Sequence, residues 1–297
     1  MLEKESEPFE YDENSYWLQV NESILKGEYD YKKEFAEMID ARLKDRKFSP
    51  SAINTYLKCP RQYLYEKILG LKVKDGNPNF ASYGSAVHKA CESAMEFLMK
   101  NKTYPDKAQF IKWFKDELAI LPMESYEQRQ IFVGRGEKAL DEYYCQILNT
   151  VPSQLLAQEE PISYVFEDGT EFYGIIDRID VCEDGSIAIY DYKTGNNKNS
   201  SIKIDGDHED YYNQMAWYKY IYEKLTGNKV SITKFIYPED FQSKNDGIKY
   251  TDEEISAAVE KFKKAVADIK AHKFEPTFKD SACKYCPYQD FCSMNVI

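Results

Sequence analysis

The chain reads as a mixed α/β domain in which helices flank a small central sheet. Three observations predict this. From residue 49 to 149 apolar side chains recur at helical spacing. From 162 to 193 they alternate instead, broken at Asp168-Gly169 and Asp184-Gly185. From 209 onward the helical period returns around one further strand. With 297 residues and 43% hydrophobic content, the chain can bury a sizeable core.

Residues 1–48 are expected to form an N-terminal arm, with one short charged helix over 33–46. The main domain is expected over 49–297. Ser49-Pro50 is a start signal, a serine N-cap followed by proline at the first helical position, with Ile53, Tyr56 and Leu57 as the apolar stripe behind it. Cys59-Pro60 interrupts this helix. A second carries Tyr63, Leu64 and Ile68 and stops at Gly70. Ser82–Lys100 is strongly amphipathic through Val87, Cys91, Met95 and Leu98, and helices over 106–120 and 124–149 form a helical insertion at about 100–150. Strands are predicted over Ile162–Glu167, Glu171–Val181 and Ile187–Lys193. A helix over 209–226 ends at Gly227, Val230–Tyr237 is a strand, and a helix over 252–272 precedes a cysteine-rich tail at 283–292.

The N-terminus is acidic and has no apolar signal region, and no stretch is apolar enough to span a membrane, so a cytoplasmic protein is expected. The net charge of -12 argues only weakly against a polyanionic partner, because bound metal reverses the local sign at clustered carboxylates. The acidic residues gather at the N-terminus and over 239–254. Lys58, Arg61, Lys67, Lys72 and Lys74 form a basic run, read first as a solvated helix face. No G-x-x-x-x-G-K-[ST] loop is present, so no ATP motor is recognisable.

The stretch Gly174-Ile-Ile-Asp177 through Ile189-Tyr-Asp191-Tyr-Lys193-Thr-Gly195 carries the chemistry. On a strand, residues two apart share a face, so Asp191 and Lys193 project together, and Asp177 interrupts the otherwise apolar face of Ile175, Ile179 and Val181. A carboxylate there is costly unless something compensates it, and a metal ion would. The hairpin register decides whether the aspartates meet. A two-residue Asp184-Gly185 loop would put them on opposite faces. A three-residue loop over 183–185, with Gly185 left-handed at its third position, pairs Cys182 with Ser186 and sets Asp177 opposite Asp191; this loop is predicted. Hard oxygen ligands suit Mg²⁺ or Mn²⁺. Spacing alone also permits a surface hairpin with ordinary Asp–Lys pairs.

These two segments resemble motifs II and III of the RecB-like branch of the PD-(D/E)XK nuclease superfamily. Gly84-Ser-Ala-Val-His88 resembles its G-x-x-x-H helix, and Gln214-Met-Ala-Trp-Tyr218 its Q-x-x-x-Y motif, all in the family's order over about 49–292. Ile176 stands where the superfamily name has proline, which this branch tolerates. The resemblance implies a restriction-endonuclease-like core. It implies that Asp177, Asp191 and His88 are metal ligands, Tyr192 a ligand through its carbonyl oxygen, and Lys193 the catalytic lysine. Gln214 and Tyr218, one helical turn apart, are implied to hold DNA or position Lys193. Without that company His88 and Tyr218 would read as ordinary packed residues. Glu159 or Glu160, just before the first predicted strand, is a further candidate carboxylate; His208 and His272 read as surface residues.

Cys283, Cys286 and Cys292 form a C-x₂-C-x₅-C tail, and Cys59, also followed by proline, is the candidate fourth ligand. Four thiolates suit zinc or a [4Fe–4S] cluster. Resemblance to the AddB-like and CRISPR-associated RecB-like exonucleases, which bracket the core with one plus three cysteines, implies [4Fe–4S] as a staple joining the two ends of the domain. Cys91, Cys145 and Cys182 are expected to be buried small hydrophobes. The expected function is a Mg²⁺- or Mn²⁺-dependent exonuclease on single-stranded DNA ends, acting in repair, recombination or processing of foreign DNA, with a helicase or other repair subunit as a further expected partner. The alternative is a non-catalytic DNA-binding or scaffold subunit.

Overall fold

The computed structural model describes residues 31–72, 78–202, 206, 208–242, 247–284 and 286–293. Residues 1–30 of the expected arm and Lys74 lie outside these. Two compact units are distinguished, residues 1–46 and 47–297. In the first, α1 spans Tyr31–Leu43, so the predicted charged helix ends three residues early.

In the second unit, α2 (Pro50–Lys58) starts as predicted, with the Ser49 side chain accepting from Ala52 N–H. Next, α3 (Pro60–Tyr63) widens into a π-helical turn over Leu64–Ile68. Then follow α4 (Pro78–Asn101), α5 (Lys107–Ile120) and α6 (Tyr126–Leu148), the last two capped by Asp106 and Ser125. β1 (Leu155–Val165), β2 (Glu171–Val181) and β3 (Ile187–Tyr192) form an antiparallel meander. α7 (Glu209–Thr226) crosses over to β4 (Val230–Ile236), which runs parallel to β3. The four-stranded mixed sheet has the order β1-β2-β3-β4. α8 (Asp252–Lys270) carries a full capping box at Thr251 and Glu254, and the short helices α9 (Asp280–Cys283) and α10 (Gln289–Ser293) end the described chain.

The first strand begins seven residues before its predicted start. Pro161 interrupts the strand pattern, but β1 is an edge strand, where a missing N–H costs no ladder bond. Glu159 and Glu160 therefore lie within the sheet and not ahead of it. Cys145 is exposed, against expectation. α6 buries Phe132, Gly136, Leu140, Tyr143 and Ile147, and a position two beyond Tyr143 points away from that stripe. Cys91 is fully buried and Cys182 half-buried. His208 and His272 are half-buried, stacked on Tyr211 and Phe274. In the basic run, Arg61 donates to the Phe274 carbonyl and Lys67 pairs with Glu66, so part of it serves the fold.

One core joins α4, α5 and α6 through Tyr83, Met95, Phe110, Phe114, Phe132 and Leu140, and includes Leu155 and Tyr192 from the sheet. Another joins α7 and α8 to β2 through Trp217, Phe262 and Phe172, with Trp217 Nε1 donating to the Ala258 carbonyl. Among the described residues no helix is long and apolar enough to cross a membrane.

Candidate active site

The β2–β3 hairpin has the three-residue loop. Cys182 N–H donates to the Ser186 carbonyl at 2.8 Å, and Gly185, at φ 80°, donates to the Cys182 carbonyl at 2.9 Å. The pairs Val181 with Ile187 and Arg178 with Tyr190 follow, and one more step sets Asp177 against Asp191. A left-handed residue closes this loop type, which is why glycine stands there.

His88 arrives from α4. Its Nε2 lies 2.7 Å from Asp177 Oδ2, and its Nδ1 lies 3.6 Å from Glu159 Oε1. The same Asp177 oxygen accepts from Tyr192 N–H at 2.7 Å, and the His88 ring meets the Tyr192 ring edge-on. One ligand atom each from His88, Glu159 and Asp177 falls within 4.8 Å of the others, a spacing that could hold a metal ion. Asp191 pairs with the Lys193 ammonium on one oxygen and accepts from Gln214 Nε2 at 2.6 Å on the other. Lys193 N–H is tied to the Ile236 carbonyl, and its ammonium lies over the rings of Tyr211 and Phe235. Tyr218 packs its buried ring against Gly174 and Phe172, one helical turn beyond Gln214.

Burial lowers the His88 imidazole pKa, but the hydrogen bond and charge of Asp177, with Glu159 and Asp191, more than offset this and hold it above its ordinary value. Burial raises the Glu159 carboxyl, only partly countered by His88. Asp191 is pushed up to about 6, chiefly by burial, with Lys193 pulling the other way. Burial disfavours the Lys193 ammonium, yet Asp191 and Asp177 hold its pKa above the usual range. This is a carboxylate-rich cluster with more negative charge than its own cation balances. Glu159 Oε1 is buried and has no hydrogen-bond partner among the described residues. An orphaned carboxylate oxygen beside an imidazole and a second carboxylate fits a hard divalent cation.

Glu160 is exposed and outside the cluster, so of the two glutamates only Glu159 joins it. Glu159 does so at φ 45°, a left-handed backbone uncommon for a residue of its size. A cleft of about 380 Å³ opens beside the cluster, bounded by His88, Lys89, Glu117, Lys193 and Thr194 among others. Cys59, Cys283, Cys286 and Cys292 all line one small cavity on another part of the unit, together with Phe278 and Tyr288.

A small mixed sheet with paired carboxylates and a lysine at one strand end defines a class of phosphodiester-cleaving domains, and the comparisons agree. The PD-(D/E)XK nuclease superfamily profile matches residues 47–293, and the chain belongs to that superfamily. It is 28% identical over 166 residues to an ATP-dependent helicase/deoxyribonuclease subunit of Streptococcus agalactiae, and 26% identical over 148 residues to the same subunit of Streptococcus uberis. These matches cover 51% and 49% of this chain but 14% of each relative, so the similarity concerns a small part of those subunits. A solved structure from Eubacterium rectale, provisionally named an exonuclease, shares the fold with a TM-score of 0.50 and 17% identity, covering 87% of this chain and 91% of that one.

Proposed function

We propose that this chain is a divalent-metal-dependent deoxyribonuclease that hydrolyses phosphodiester bonds from single-stranded DNA ends in the cytoplasm. The observation that carries the reading is the convergence of His88, Glu159 and Asp177 around an orphaned carboxylate oxygen, with the Asp191–Lys193 pair beside them. His88, Glu159, Asp177 and Asp191 would hold Mg²⁺ or Mn²⁺, and the resemblance adds the Tyr192 carbonyl. When bound, such a cation supplies charge neutralisation at the phosphate and a more acidic water.

The remaining steps belong to the side chains. Lys193 stays protonated at neutral pH and offers its ammonium to charge developing on the scissile phosphate, or orients the attacking water. Gln214 fixes the Asp191 carboxylate and so aims Lys193. The Tyr218 ring buttresses Gln214 from the next turn. The names of the relatives support a helicase–nuclease complex as the setting, with a motor subunit as partner.

The four cysteines are proposed to hold a [4Fe–4S] cluster that ties residue 59 to residue 292. Their lining of one small cavity supports a shared centre, and the resemblance, not the geometry, favours the cluster over a single zinc.

The test is digestion of end-labelled and circular single-stranded DNA with Mn²⁺, comparing wild type with Lys193→Ala. The reading expects the labelled end to be released, the circle to survive, and the variant to be slower by about 10²–10³-fold. Equal activity in both proteins would mean a contaminating nuclease or no catalysis by this chain, which leaves a DNA-binding scaffold.

A further inference from the structure

The loop that leaves β3 is fastened from outside the carboxylate cluster. Gly195, two residues after Lys193, donates its N–H to Glu239 Oε2 at 2.5 Å. Arg135 grips the same carboxylate with two bonds, Nε to Oε1 at 2.6 Å and Nη2 to Oε2 at 2.9 Å. Glu239 follows β4, whereas Arg135 belongs to α6 of the helical insertion. The Arg135 guanidinium also lies 4.6 Å from the centre of the Tyr83 ring. Tyr83 precedes Gly84 on α4, the helix that delivers His88. At Gly84 an added Cβ would sit 3.6 Å from Thr194 Oγ1, so α4 and the loop are already in close contact there. Downstream, Asn197 N–H donates to Asp240, and the buried Asn199 amide bonds both the N–H and the carbonyl of Phe235.

We propose that Arg135 and Glu239 form a latch that sets Lys193 against His88 and Asp177, making both positioning residues for hydrolysis. The inference rests on the nuclease reading above. Its physical basis is a near-planar guanidinium forked onto a largely buried carboxylate, which keeps one oxygen aimed at the Gly195 N–H. Lys193 itself is held by its pairing with Asp191, its N–H to Ile236 and the Tyr211 and Phe235 rings beside its ammonium. With the latch open, the Thr194–Asn196 backbone loses its nearest anchor, and the ammonium position relaxes. A misplacement of about 1 Å at a reacting group can cost roughly 10²-fold in rate. The latch makes the helical insertion α5–α6 part of the catalytic geometry through contacts of Arg135 with Glu239 and Tyr83.

The experiment compares full-length wild type, Arg135→Met, Glu239→Gln and Arg135→Lys. It measures kcat and KM on single-stranded DNA with Mn²⁺, Mn²⁺ affinity by calorimetry, and amide hydrogen exchange over 194–199. Met and Gln keep the side-chain volume. Expected are kcat values lower by about 10–100-fold for both, with KM and Mn²⁺ affinity nearly unchanged. Exchange at Gly195 should be faster by about 10-fold or more, with the rest of the chain unaffected. Arg135→Lys, which keeps the charge but not the fork, should recover part of kcat. Unchanged kcat alongside a lower melting temperature would overturn the latch and leave a structural clamp. A wild type inactive on every DNA would defeat the nuclease reading instead; in that event unaltered exchange at Gly195 in Glu239→Gln would overturn the latch, and faster exchange would support it.

Discussion

Gly174→Ala is the substitution whose cost can be worked most directly from the structure. Gly174 lies in mid-β2, three residues before Asp177. A Cβ there would fall 2.6 Å from Tyr218 Cε1, 3.5 Å from Tyr218 Cζ and 3.4 Å from Phe172 Cε1. The Tyr218 ring is buried and meets Phe172 edge-on, so it has little room to retreat. Forcing a methyl into such packing costs about 1–3 kcal/mol. Replacing glycine within a strand returns roughly 0.5–1 kcal/mol of backbone entropy. The net loss is about 0–2.5 kcal/mol, a fall of up to roughly 10 °C in Tm for a unit of this size. Because Gln214, one turn before Tyr218, holds Asp191, turnover should fall as well, by about 10-fold or more. Thermal melts and Mn²⁺-dependent digestion read both effects. In a double-mutant cycle with Tyr218→Ala the two costs should couple by about 1–3 kcal/mol. A variant as stable and as active as wild type would refute the reasoning.

Metal affinity should depend steeply on pH. His88, Glu159 and Asp191 all have raised pKa values, Asp191 at about 6, and a cation binds their deprotonated forms. Protons therefore compete as pH falls through these values, so Mn²⁺ affinity should drop by about 10-fold or more per pH unit below about 6 and level off once His88 is deprotonated; calorimetry showing a flat profile from pH 5.5 to 7.5 would contradict this. Glu159→Gln should weaken Mn²⁺ binding by about 10–100-fold, whereas Glu160→Gln, exposed and outside the cluster, should leave it unchanged. For the cysteine cavity, Cys59→Ala should abolish stoichiometric iron and the broad visible absorbance of protein purified without air, and lower Tm; retained iron would exclude Cys59 as a ligand.

Much of the site is legible in the chain before folding, for identifiable reasons. The period of two places Asp191 and Lys193 on one face, and the glycine at the third loop position selects the register that brings in Asp177. These are local signals, each complete within about twenty residues. His88 has no local signal of comparable strength; only its place in a resembling motif points to it, since its partners lie more than seventy residues away. Glu159 is blurred because Pro161 interrupts the pattern of an edge strand. Gly174 looks like a motif letter, and the reason for it, the Tyr218 ring, comes from a helix forty-odd residues later. Arg135 and Glu239 lie 104 residues apart, so no periodicity could connect them. Cys145 is exposed because its place on the helix outweighs its residue type.

The left-handed backbone at Glu159 sets two demands against each other at one position. The peptide geometry there suits glycine or asparagine and charges a long side chain about 1 kcal/mol or more, whereas the proposed cation-binding role needs a ligand side chain that glycine lacks. On the proposed reading, Glu159→Gly would relieve the backbone strain while removing a cation ligand.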